Sequence, residues 1–113
     1  MTVLHMLAKE AIPNRSIEYM DNRVSLYAAQ YGKCAVTGKI LWLDEIHCHH
    51  KKPLNQGGTD EYKNLIIIHT DVHKLIHATK LETIQAYLDK IKPNKSQLEK
   101  INKLRVLAGN SAI

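Results

Sequence analysis

Five of the seven histidines of this 113-residue chain lie between Cys48 and Ala78, in the run C-H-H-K-K-P-L-N-Q-G-G-T-D-E-Y-K-N-L-I-I-I-H-T-D-V-H-K-L-I-H-A. Imidazole ligates divalent metals when neutral and changes charge near neutral pH, so this clustering points to metal-assisted acid/base chemistry. His73 and His77 are four apart in a stretch read as a helix, which puts both rings on one face about one turn apart. That spacing suits two ligands of a single ion. His49 and His50 fall at the end of a predicted strand, where consecutive side chains point to opposite sides. One of them can complete a three-imidazole set while the other stays free. Three imidazoles leave an open position for water or a phosphate oxygen, as a catalytic site requires.

These residues need elements to hold them. Ile40 to Cys48 reads as a strand running on into the histidine pair, with Ile40, Trp42, Asp44, Ile46 and Cys48 on one face. The other face carries Leu41, Leu43, Glu45, His47 and His49. Lys51 to Asp60, with Pro53 and Gly57-Gly58, is a long loop, its glycines supplying positive φ. Leu65 to His69 is a second short strand, and Thr70 or Asp71 opens the helix that runs to about Ala78. Ahead of this core, Ser16 to Tyr31 predicts an amphipathic helix with Ile17, Met20, Val24, Tyr27 and Tyr31 inward. Met1 to Ile12 is a short helix or loose arm. Behind the core, Thr79 with Glu82 predicts a capping box for a helix to about Ile91, with Leu81, Ile84, Leu88 and Ile91 inward. After Pro93, Asn94 or Ser96 opens a last helix with Leu98, Ile101, Leu104 and Ala108 inward.

Length allows one domain with a modest core. Lysine and arginine exceed acidic residues by 16 to 11, and the pI is about 9.3. That balance suits a polyanionic partner, with nucleic acid first. No apolar run approaches the ~20 residues of a bilayer span, and the N-terminus makes a poor signal peptide, so no membrane partner is expected and the expected location is cytoplasmic and nucleoid-associated. Two cysteines, Cys34 and Cys48, are too few for a disulfide framework.

Taken in order, H-H-x-x-P, Gly-Gly, Asn-Leu, a strand and H-x-x-x-H resemble the HNH endonucleases of the ββα-metal (His-Me finger) type, and the H-H-K-K-P, Q-G-G and H-x-x-x-H elements are similar to colicin-type nuclease domains. From Arg15 to Asn110 the chain also resembles the C-terminal endonuclease segment of group II intron-encoded reverse transcriptases. The resemblance implies an α+β fold, a ββα-metal core over about residues 40–78 flanked by one N-terminal and two C-terminal helices. It divides the chain into an arm over 1–15 and one endonuclease domain over 16–113. It implies that His49, His73 and His77 ligate one divalent ion and that His50 is the general base. Asn64 would hold His50 in orientation through backbone and side-chain hydrogen bonds. Zn²⁺ or Ni²⁺ suits the imidazoles, whereas Mg²⁺ or Mn²⁺ is the ion often taken to work in the family.

Several residues are assigned less directly. Lys51, Lys52 and Lys74 flank the histidines and are candidates for phosphate contact. His47 and His69 are candidates for hydrogen-bonding support behind the ligands. Arg15, Arg23 and Arg105 read as solvent charges, with phosphate contact as the alternative. Intron-type relatives often add a zinc on two C-x-x-C pairs. The corresponding positions here are Cys34, Thr37, His69 and Val72, so no structural Cys₄ zinc is expected, with packing of Val36 and Val72 in its place. The expected activity is metal-dependent DNA cleavage leaving 5′-phosphate and 3′-hydroxyl ends. A reverse transcriptase domain or intron ribonucleoprotein, and a second copy for double-strand cutting, are expected partners. A DNA-binding module with a structural metal and a toxin-type nuclease are the alternatives.

Overall fold

The computed structural model describes residues 2–10 and 12–113. The fold is α+β, with five α-helices and one two-stranded antiparallel sheet among those residues. In chain order the elements are α1 (Val3–Lys9), α2 (Ile17–Ala29), β1 (Ile46–His50), β2 (Leu65–His69), α3 (Thr70–His77), α4 (Leu81–Ile91) and α5 (Lys95–Leu107). β1, β2 and α3 form the ββα unit. Helix α2 packs on the sheet, and α4 and α5 pack on α3.

The register pairs His47 with Ile68, Cys48 with Ile67, His49 with Ile66 and His50 with Leu65. Side chains alternate across a strand, so His47 and His49 share the face toward α3 while Cys48 and His50 face α2. The free edge of β2 is closed by a side chain. Gln30 donates to the carbonyl of Ile67 at 2.9 Å and accepts from its N–H at 3.1 Å, as a third strand would. Cys34, Val36, Leu41, Leu65, Ile67, Ile68, Val72, Leu75, Ile76 and Ile101 fill the core around this frame.

The first strand begins six residues later than predicted. Glu45 accepts from the N–H of Trp42 at 2.8 Å and donates its own N–H to the Trp42 carbonyl at 2.9 Å. These bonds wind Leu43–Glu45 into a 3₁₀ turn. Only Lys33 and Ile40 form an isolated bridge before it, and Ile40 and Trp42 are exposed. The inward face of α2 is also rotated from the predicted one. Tyr19, Arg23, Leu26 and Tyr27 are buried, whereas Ile17 and Tyr31 are exposed. Arg23 tolerates burial because Glu10 pairs with it at 2.8 Å. Helix α4 starts at Leu81 with Lys80 as its N-cap and no capping side chain, so the Thr79–Glu82 box does not form, and Leu81 is exposed. Helix α5 uses Asn94 with Gln97 as its capping box. The glycine pair divides its work. Gly57 has φ of 88°, whereas Gly58 is needed for space, since a Cβ there would lie 1.9 Å from the Lys52 carbonyl oxygen.

Arg105 is the largest departure from the expected solvent charges. It is buried on α5 and donates to the carbonyls of Ile76 at 3.3 Å, Ala78 at 2.9 Å and Leu75. A fourth bond reaches Ser111 O at 2.8 Å. These carbonyls lie at the C-terminal end of α3, where the helix has no internal donors and carries partial negative charge. One guanidinium therefore ties the last helix to the end of α3 that carries His77. Replacing Arg105 with Met strips donors from buried carbonyls and should cost about 3 kcal/mol in urea unfolding. Lys103→Met, at an exposed position on the same helix, should cost little. Equal costs for the two would contradict this role.

Candidate metal centre and active site

His49 comes from β1, and His73 and His77 come from successive turns of α3. The sheet register turns His49 toward that helix, and its ring meets both partners edge-on, with centroids 5.3 Å from each. His73 and His77 are 4.6 Å apart by centroid. One ligand atom from each of the three lies within 4.8 Å of the others. The His49 ring is 2% exposed, yet its Nε2 is fully buried with no hydrogen-bond partner. A buried polar atom without a partner is costly, so the orphaned nitrogen fits a ligand to an ion shared with the helix pair.

The rings are also in the right protonation state. Burial pushes His49 and His73 down to about 3, and their neighbouring imidazoles add to the effect. His77 is lowered by burial and then by Arg105. All three are therefore neutral near pH 7, and a neutral imidazole is the form that binds metal. His47 stacks on His73 at 3.5 Å between centroids and 19° between planes. Burial pushes it down to about 4. It supports His73 by packing, a contact that its position on the His49 face made legible.

His50 leaves the strand on the opposite face yet opens into the same cleft. That cleft encloses about 420 Å³, and Arg15, His47, His49, His50, His73 and His77 line it. Tyr19 stacks on the His50 ring at 5.4 Å and 14°. The Arg15 guanidinium sits 4.7 Å over the other aromatic partner, Tyr19 itself. His50 Nε2 lies 2.7 Å from Asp60 Oδ1. Asp60 is anchored in turn, accepting from Ser16 Oγ at 2.7 Å and, through its carbonyl, from Asn22 at 2.9 Å. These bonds to His50 and Ser16 hold its carboxyl below the usual carboxylate range.

Asn64 reaches a different target from the one expected. Its side chain accepts from Lys52 N at 2.9 Å and donates to Lys52 O at 3.0 Å and Thr59 O at 2.8 Å. It clamps the two ends of the loop that carries Asp60, and its side chain makes no bond to the His50 ring. His69 lies outside the cleft. It N-caps α3 by accepting from Asp71 N at 2.9 Å, and its other nitrogen pairs with Glu45 at 3.0 Å. Lys51 and Lys52 line a neighbouring groove with Gly57, Gly58 and Lys63. Lys74 points toward the Tyr87 ring, 6.0 Å from its centroid. Cys34 is buried, and its sulfur accepts from the N–H groups of Thr37 at 3.5 Å and His69 at 3.4 Å.

Residues 32–79 match the HNH endonuclease family model. The match takes in β1, β2, α3 and every histidine of the cleft. No curated protein and no solved structure matches the chain. Of two further members of the site, Asp60 lay beyond sequence reasoning, whereas Arg15 reads there as a solvent charge with phosphate contact as the alternative. Asp60 is ten residues from His50 across the loop of the HNH segment, and no periodicity links a loop carboxylate to a strand histidine. Arg15 lies outside the matched range and reaches the cleft from just ahead of the Ser16 cap of α2.

The depressed imidazoles carry a signed consequence for stability. An unfolded histidine takes up a proton below about pH 6.5. In the folded chain His47 refuses one until about 4, and His49 and His73 until about 3. The unfolded state thus binds more protons in this window, so metal-free protein is fully stable above the unfolded value and weakens as pH falls. Thermal unfolding in chelator should show the midpoint dropping steadily between about pH 6.5 and 5, before most carboxylates titrate. A flat midpoint over that range would contradict the burial of neutral rings.

Proposed function

We propose that this chain is a metal-dependent DNA endonuclease that hydrolyses phosphodiester bonds to 5′-phosphate and 3′-hydroxyl ends. The observation that carries this reading is the buried, unpartnered Nε2 of His49 among three neutral imidazoles, with His50 opening into the same cleft. The HNH match over residues 32–79 supports a nuclease, and the net charge of +5 supports a polyanionic substrate.

His49, His73 and His77 would hold the ion. Three imidazoles favour Zn²⁺ or Ni²⁺ in affinity, and Mg²⁺ or Mn²⁺ would bind there more weakly. When bound, such an ion supplies Lewis-acid stabilisation of phosphate charge and of the leaving oxygen. The remaining work falls to side chains of the chain. His50 accepts a proton from the attacking water as its oxygen bonds to phosphorus. The phosphorus–oxygen bond to the 3′ carbon breaks, and that oxygen leaves as a hydroxyl after taking a proton from solvent. Tyr19 stacks on one face of His50 and limits its rotation. Arg15, over Tyr19 at the cleft, is placed to receive a phosphate oxygen. Lys51 and Lys52, in the adjoining groove, extend the positive surface along a strand.

The resemblance from Arg15 to Asn110 supports a role in group II intron mobility. There a single nick would expose a 3′-hydroxyl for a reverse transcriptase domain or intron particle to use. One cleft cuts one strand at a time, so cleavage of both strands would take a second copy or a second encounter.

Supercoiled plasmid incubated with the protein tests the reading. Nicked circles should accumulate with added divalent metal and vanish with chelator. His50→Ala should cut roughly 10²- to 10⁴-fold more slowly while binding metal as tightly as the parent. His77→Ala should instead weaken metal binding. Undiminished cutting by His50→Ala, or in chelator, would refute the proposal, and metal binding without any cleavage would favour a DNA-binding module.

A further inference from the structure

The bond between His50 and Asp60 has no place in a site defined by three ligands and one base. Asp60 Oδ1 is 2.7 Å from His50 Nε2, while Oδ2 accepts from Ser16 at 2.7 Å. Both oxygens are therefore acceptors, and an ionised carboxylate has no proton to give. The hydrogen between Asp60 and His50 must then sit on Nε2, leaving the lone pair of the neutral ring on Nδ1. Nδ1 makes no hydrogen bond among the described residues and is not among their fully buried unpartnered atoms, and His50 itself lines the cleft, so Nδ1 is the nitrogen left for solvent. Ser16, Tyr19 and Asn22 recur at three-residue steps along the start of α2, and all three grip this pair. Ser16 holds the carboxylate, Tyr19 the ring and Asn22 the Asp60 carbonyl.

We propose that Asp60 is a positioning residue that locks His50 as the Nε2–H tautomer, making Nδ1 the atom that takes the proton from water. The inference rests on the nuclease reading above for its catalytic meaning, but the tautomer itself does not. During the reaction the water proton moves to Nδ1 as the water oxygen bonds to phosphorus, and the imidazolium so formed keeps its Nε2 hydrogen against the Asp60 carboxylate. The carboxylate stays ionised and stabilises that cation, as the third member of a nucleophile–base–acid triad does.

Nitrogen-15 NMR of the histidine side chains in the full chain, metal-free and zinc-loaded, tests this. His50→Gln assigns the His50 signals by their loss. The expected pattern for the neutral ring is a protonated, pyrrole-type Nε2 and an unprotonated, pyridine-type Nδ1 in both forms. A neutral His50 ring that carries its hydrogen on Nδ1 in the parent overturns the proposal without any variant having to fold. Asp60→Asn is nearly isosteric, but its amide N–H₂ can donate to Nε2 and so favour the opposite tautomer. It should lower kcat on plasmid roughly 10²-fold or more while KM and zinc affinity stay near parental values. Asp60→Asn with parental kcat, beside a His50→Ala that has lost cleavage, defeats this inference alone. His50→Ala that still cuts defeats the nuclease reading, and the tautomer is then judged by the spectrum.

Discussion

A buried imidazole nitrogen with nothing to bond to is the constraint around which this chain is built. Leaving such an atom unpaired costs about 1–3 kcal/mol, a large fraction of a small domain's stability. The fold nevertheless carries His49 Nε2 in that condition and surrounds it with two further rings kept neutral by burial. Ordinary packing would place an aliphatic residue opposite Ile66 on β1. A cation shared by the three rings would give the nitrogen its missing partner, and stability would then depend on metal as well as on core packing.

The sheet separates two kinds of chemistry that would interfere if mixed. On the α3 side, His47, His49, His73 and His77 form a neutral cluster suited to an ion, buried at His49 and exposed at His77. On the α2 side, His50 is wedged between Tyr19 and a charged carboxylate, with one nitrogen left for protons. Two residues adjacent in sequence can serve the two sides only because a strand sends neighbouring side chains to opposite faces. Both walls are braced from outside the ββα unit. Arg105 of α5 secures the carbonyl end of α3, and Ser16 and Asn22 of α2 secure Asp60. That bracing gives the flanking helices a function beyond covering the core.

Much of this was legible in the sequence, and the failures have physical causes. The i, i+4 pair on α3 and the alternation at His49 and His50 are local rules, and the structure follows them. The two strands and the helix after them were legible from such patterns, whereas the ββα core was implied by the HNH resemblance. The start of β1 was misplaced because Trp42, Leu43 and Ile46 look strand-like, while the Glu45 carboxylate's bond to a backbone N–H three residues earlier cannot be read from hydropathy. Arg105 and Arg23 read as solvent charges because composition does not reveal where four carbonyls or a lone glutamate wait for them. Asp60 was invisible for a similar reason. Its role arises from a contact across a loop whose path depends on Gly58 fitting against the Lys52 carbonyl and on Asn64 bonding both ends.

X-ray absorption at the metal edge of the zinc-loaded chain interrogates the ion site most directly. Three imidazole nitrogens and one oxygen at about 2.0–2.1 Å are the coordination sphere the proposed site predicts. A sulfur scatterer near 2.3 Å, which would bring in Cys34 or Cys48, or a sphere with fewer than two imidazoles, would contradict it.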